Sequence, residues 1–206
     1  SGAAQCVMRL FVKQVAAEND QTPVKIRFEY RVGSSTSSIT LERGVNWPAS
    51  ETPEGDLIPF QTEHLDVGRK AIIFYPERLP DYLAAIGGSS VTTNNTLLIN
   101  PDPTADPNMK IPEIPSVETD IGVVIRESGD FSDYTNGFAL VTNLRIFFAD
   151  DFNVVSIPQP ANSGLPAGEP YYPPVAVYAP EKRYGTTLKD RDIVYEGQLN
   201  SLAEDG

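Results

Sequence analysis

Reactive side chains are scarce in this chain of 206 residues, which has one cysteine, one histidine and one tryptophan. A single cysteine, Cys6, forms no intramolecular disulfide and builds no multi-cysteine zinc site; a small buried thiol is its simplest role. A Ser-His-Asp triad would have to use His64, which stands between the carboxylates Glu63 and Asp66, and no G-x-S-x-G turn supplies a nucleophile. Nothing near Cys6 or His64 marks an activated thiol. Gly87 and Gly88 lack the lysine of a phosphate-binding loop, and no dinucleotide fingerprint occurs. No apolar run approaches the roughly 20 residues that cross a bilayer, so no membrane span is expected. Positive charge is short as well: 16 Lys and Arg against 28 Asp and Glu give a net charge of −12. Such a field repels phosphate backbones and no basic run offsets it, so direct nucleic-acid binding is not expected.

What the chain does have is enough apolar material for a core, at 40% hydrophobic residues, together with 18 prolines and 15 glycines. Residues 24–32 (VKIRFEYRV) alternate apolar and charged side chains strictly, the pattern of a half-buried antiparallel strand. Residues 6–15 fit a strand with Met8, Leu10 and Val12 inward, or a helix with Val7, Leu10, Phe11 and Val15 on one stripe. The turn-rich AAENDQTP at 16–23 favours a hairpin between the two runs. Further strands are expected at 39–42, 70–75, 91–100, 121–126, 137–148, 152–157, 174–178 and 192–199. One short helix is expected from residue 79 or 80 to 86, with Gly87 and Gly88 as its stop. Short strands between Gly, Pro, Asn and Asp clusters, without long intervening helices, predict a mainly β fold: an antiparallel sandwich or barrel, jelly-roll-like, with long proline-rich loops. No linker divides the chain, so residues 1–206 are read as a single domain. It carries an N-terminal segment (1–16) and two proline-rich arms, 100–115 and 158–185.

Carboxylates are abundant, which makes any one pair uninformative for acid/base chemistry. Glu127, Asp130 and Asp133 lie close in sequence, as do Asp150 and Asp151, and turn or cap roles explain them equally well. Calcium is the ion the composition favours, through Asp102, Asp106 and Asn108 or through Asp130, Asp133, Asn136 and Gly137. Neither set has EF-hand spacing, Asx-turns account for both, and no cofactor is assigned. Asn94-Asn95-Thr96 matches the N-glycosylation pattern, which decides nothing alone.

Aromatic residues on the second arm carry more information. Tyr171, Tyr172, Tyr178 and Tyr184 fall beside Lys182 and Arg183. Tyrosine offers a large apolar face and a polar tip, which suits subunit contacts, sugar stacking, or simply sealing a loop on its own sheet. Charge is uneven too: residues 1–43 hold six basic and four acidic side chains, and residues 102–169 hold three basic and eleven acidic ones. Unlike surfaces of neighbouring copies would complement each other. The expectation is a non-enzymatic, self-associating structural protein: a virion component such as a coat, decoration or tail protein, or an extracellular filament subunit. Its partners would be copies of itself or assembly neighbours. Leu10 and Phe11 of the N-terminal segment join Tyr171, Tyr172, Tyr178, Lys182, Arg183 and Tyr184 as interface candidates. The alternatives are a β-sandwich module binding carbohydrate or another surface ligand and, behind it, a hydrolase using loop carboxylates.

Overall fold

The computed structural model describes residues 5–14, 25–48, 52–64, 70–102 and 122–184. It opens on an antiparallel meander of β1 (Met8–Gln14), β2 (Lys25–Val32) and β3 (Ser35–Glu42). Alternation sets the faces: Met8, Leu10 and Val12 of β1 and Ile26, Phe28 and Tyr30 of β2 turn to the core, as the two-residue period requires. The strand alternative for residues 6–15 therefore holds over the helical one. The Ser/Thr-rich stretch after Gly33 extends β3 further than residues 39–42. Val32 pairs directly with Ser35, leaving Gly33 and Ser34 as a two-residue turn.

After a short helix α1 (Pro53–Leu57), the pair β4 (Phe60–His64) and β5 (Lys70–Phe74) is antiparallel. From β5 onward the pattern changes. A single 3-10 turn (Pro76–Arg78) and helix α2 (Leu79–Ala85) lead to β6 (Thr96–Pro101). Then follow β7 (Gly122–Ile125), β8 (Phe138–Thr142), β9 (Arg145–Phe148), β10 (Val175–Tyr178) and β11 (Lys182–Tyr184). Each of these strands lies in the opposite sheet from the one before it, and each pairs in parallel with the strand two places earlier. The six-stranded sheet has the order β10-β8-β6-β1-β2-β3 and the five-stranded sheet β11-β9-β7-β5-β4.

The fold is mainly β, in two mixed, open sheets. The antiparallel jelly-roll expectation is corrected by the pairing: β1–β6, β6–β8, β8–β10, β5–β7, β7–β9 and β9–β11 are all parallel. Parallel neighbours need a crossover, usually a helix. From β5 onward each crossover instead passes through a strand of the other sheet. Inner faces of both sheets share one core, in which Phe28 meets Phe60 (ring centroids 5.1 Å) and Phe74 meets Phe138 (5.9 Å). The central strands β5, β7 and β9 are buried on both faces. Ile72, Val123, Ile125, Ile146 and Phe148 point to that core, while Ala71, Ile73, Val124 and Phe147 form a second cluster behind them. That explains their unbroken apolar runs.

Other expectations shift. There are two short helices among the described residues rather than one: Thr52 caps α1 by accepting from Gly55 N (3.1 Å), with Pro53 next to it. Helix α2 ends as its glycines predict, with Gly87 at φ +72° and Gly88 N donating to Leu83 O (2.7 Å). The run expected as one strand over 137–148 divides into β8 and β9. Leu144 N donates to Thr142 Oγ1 (3.0 Å) and Asn143 N to Asn100 Oδ1 (2.9 Å), which turns the chain from one sheet to the other. Residues 91–95 form turns ahead of β6. Residues 152–157 form no strand, only isolated bridges at Phe152 and Ile157. The loop 16–23, residues 103–115 of the first arm and the strand expected at 192–199 lie outside the described residues.

Candidate functional site

Two places collect the residues singled out by sequence. The first is the carboxyl end of the parallel strands β5, β7 and β9, where the chain leaves each strand through charged side chains: Glu77 and Arg78, Arg126 and Glu127, Asp150 and Asp151. Arg78 grips Glu127 side-on through Nε and Nη2, its Nε lying 2.6 Å from Oε2, and lies over the Tyr75 ring at 3.8 Å. Glu127 N donates to Asp150 Oδ2 (2.9 Å), Asp130 N donates to Glu77 Oε1 (3.0 Å), and Ser132 N donates to Asp130 Oδ1 (2.7 Å) in an Asx-turn. Below them Ser128, fully buried, donates to Asp151 O (2.8 Å). Glu127 and Asn153 both hold positive φ, +48° and +55°, an uncommon backbone state for residues other than glycine. The structure thus joins two carboxylate groups that lie over twenty residues apart. It spends Glu77, Glu127 and Asp150 as acceptors that tie three loops together, and Asp130 as the acceptor of a turn within one of them.

Calcium candidates are distributed differently. Asn136 donates through Nδ2 to Thr92 O (3.2 Å), and Gly137 closes a turn from Tyr134 O (2.7 Å) at φ +78°. Among the described residues no group of three or more His, Cys, Asp or Glu side chains converges on a metal-sized site. Asp106 and Asn108 lie outside the described residues. Cys6 is buried ahead of β1, and burial pushes its thiol pKa up despite the nearby Arg9. His64 ends β4 in the other sheet, opposite Lys70. Asn94 has no exposed surface; its Oδ1 accepts from Arg31 N (2.9 Å), and its Nδ2 donates to Arg31 O (3.2 Å) and Ser89 O (2.7 Å). In the folded chain this sequon asparagine fastens β2 to the turn before β6.

The second place is the end of the molecule built by β10 and β11, the last strands of their sheets, drawn from the second arm. Val175 and Val177 pack inward on the shared core, while Tyr178 is 62% exposed and Tyr172 is 41% exposed. Tyr171 is half-buried and bridges to Ile157, whose N donates to Tyr171 O (2.7 Å). Tyr184 stacks on Phe148 (4.7 Å, 13°), which anchors β11. Lys182 is exposed, and Arg183 shares Glu181 with Arg145. Burial works against the charged form of Glu181, but hydrogen bonds from Arg183 and Arg145 outweigh it and hold the carboxyl below the usual range. Leu10 and Phe11 are elsewhere. Leu10 lies in the core with no exposed surface to offer a neighbour, and Phe11 sits half-buried under the guanidinium of Arg27 at 4.6 Å.

Three features of this end escaped sequence reasoning. The charge of its β10 side is nearly nil: residues 152–180 contain one ionisable acid or base of the Asp, Glu, Lys and Arg kind, Glu169. Its exposed apolar side chains are concentrated, with Val154, Val155, Leu165, Tyr172 and Tyr178 all in this stretch. An open groove of about 340 Å³ runs over the outer face where β10 begins, between Asn95, Asn136, Ala139, Pro174 and Ala176. The charge gap was readable in the sequence; the groove was not, because it depends on the register that aligns Thr96, Ala139 and Ala176 across three strands. Among the described residues no helix is long and apolar enough to cross a membrane. Comparisons with protein-family models, curated proteins and solved structures found no match.

Proposed function

We propose that this chain is a non-enzymatic structural protein that works by self-association, as a coat, decoration or tail component of a virion or as an extracellular filament subunit. On this reading the two sheets form a sandwich that presents its last strands as a contact surface. One observation carries it: one sheet stops at β10 inside a stretch, residues 152–180, that is nearly uncharged and studded with exposed apolar side chains. Exposed apolar patches of this kind mark association surfaces. In a molecule of net charge −12, an uncharged face is also where like copies approach with least repulsion. Native mass spectrometry with electron microscopy of the purified protein tests this. Defined oligomers or particles support it, and a monodisperse monomer with protease-sensitive arms at high concentration overturns it.

A second reading, a module binding carbohydrate or another surface ligand, is favoured by the exposed rings of Tyr172 and Tyr178, in the same arm as the groove-lining Pro174 and Ala176. A glycan array with and without chelator separates the two, since only this reading predicts specific glycan signals.

A further inference from the structure

We infer that β10 is the edge on which the chain dimerises, pairing antiparallel with β10 of a second copy about a two-fold axis through Ala176. This inference rests on the self-association reading and gives it a surface and a register. In a parallel pair, alternate residues of a strand direct their peptide groups to the neighbour. Phe138 N donates to Pro174 O (2.9 Å), so Pro174, Ala176 and Tyr178 face β8. Val175 and Val177 then direct N–H and C=O away from the sheet, where no strand lies among the described residues. Pro174 falls on the parity facing β8 and removes no outward donor, while Pro173, just before the strand, offers no N–H and its carbonyl accepts from Asn153 Nδ2 (2.9 Å), so the outward pairing groups are those of Val175 and Val177.

The opposite edge of the same sheet is treated differently. With Val32 and Ser35 closing the two-residue hairpin, Thr40 and Glu42 are among the residues of β3 facing away from β2. Asn46 covers them: its Nδ2 donates to Thr40 O (2.8 Å) and its Oδ1 accepts from Glu42 N (2.8 Å). The end of β3 is thus capped, whereas among the described residues no strand covers Val175 and Val177, a difference expected when only the β10 edge pairs. In the second sheet the edge strand β11 carries the exposed Lys182, a charge that disfavours edge pairing and leaves it to β10.

Identity of the partner follows from charge. A two-fold contact sets a patch against its own copy, so any net charge repels itself. The arm around β10 satisfies that condition with a single ionisable residue in 29. Centred on Ala176, the register exchanges N–H···O=C bonds between Val175 and Val177 of the two copies in both directions. On the outer face it sets Tyr178 over Pro174 of the second copy, at the groove between Asn136 and Ala176. The most exposed tyrosine of the arm thereby gains an apolar seat.

The test uses the full chain. At a two-fold axis the paired Cβ atoms lie within disulfide reach, so Ala176→Cys is expected to form a covalent dimer in most molecules under mild oxidation. Wild type, with Cys6 buried, is expected to form none, and Ser38→Cys on the β3 edge none. Tyr178→Glu is expected to weaken dimerisation about ten-fold or more in sedimentation, as loss of an aromatic anchor does, with an unchanged thermal midpoint. If the protein sediments as a dimer or larger, yet Ala176→Cys stays uncrosslinked while folded by circular dichroism and Tyr178→Glu leaves the mass distribution unchanged, the β10 pairing is overturned and self-association uses another surface. Crosslinking through Ser38 instead also overturns it. A wild-type monomer at every concentration overturns both readings.

Discussion

Tyr82 and Tyr134 show how much a single hydroxyl decides. Both rings are buried, but Tyr134 Oη donates to Pro76 O (2.6 Å) whereas Tyr82 Oη is buried with no hydrogen-bond partner among the described residues. An unpaired buried hydroxyl costs about 1–3 kcal/mol and a satisfied one contributes about 0.5–1.5 kcal/mol. Tyr82→Phe is therefore expected to stabilise the fold by about 1 kcal/mol and Tyr134→Phe to destabilise it by about as much, read as opposite shifts of the urea midpoint. Burial raises the pKa of both phenols above the ordinary value near 10. The folded chain then keeps protons that the unfolded chain gives up, so this stability is fully present below about pH 10 and is lost as pH rises beyond it. The double Phe variant should show a shallower alkaline decline; an equally steep one would locate the loss in other groups. Asn94 belongs to the same scale. Asn94→Ala leaves the Arg31 peptide group without its side-chain partner in a buried site, and a loss of about 2–3 kcal/mol in chemical denaturation is expected.

Elements were legible where one periodicity governed them. Residues of β2 alternate, so its faces could be assigned from the sequence, and the Gly87-Gly88 stop fixed the end of α2. The runs KAIIF, GVVI and RIFF were recognisable as strands but not as parallel ones. An apolar run without alternation says only that both faces are buried, and the covering layer lies far away in sequence. No period betrayed the winding either, because successive strands of the second sheet start at Lys70, Gly122, Arg145 and Lys182, at unequal intervals. Of the interface candidates, Tyr172 and Tyr178 lie exposed and Leu10 lies in the core; the sequence left Leu10 open because strand period and helix period assign it to different neighbours. Asn46 was silent in the sequence, its role set by a turn that returns it to β3. Asn46→Ala should remove two hydrogen bonds, lower stability by about 1–2 kcal/mol and uncover Thr40 and Glu42 on an open edge. Faster aggregation than wild type in light scattering is the expected outcome; unchanged aggregation would mean the edge is protected in some other way.

On the scale of the whole molecule, charge and topology act against each other. A net charge of −12 keeps copies apart, while the stretch 152–180 around β10 supplies a nearly uncharged surface rich in exposed apolar side chains. Repulsion between like-charged copies is screened over about 10 Å at 0.1 M salt and much less at low ionic strength. Association through a neutral patch should therefore strengthen as salt rises, the reverse of an interface built on opposite charges. Sedimentation velocity of the wild-type chain, run over a hundred-fold range of concentration at low and moderate salt, measures this directly. The expected result is a species of twice the 22.5 kDa chain mass or more, growing with concentration and with salt. A single 22.5 kDa species under every condition would contradict the account.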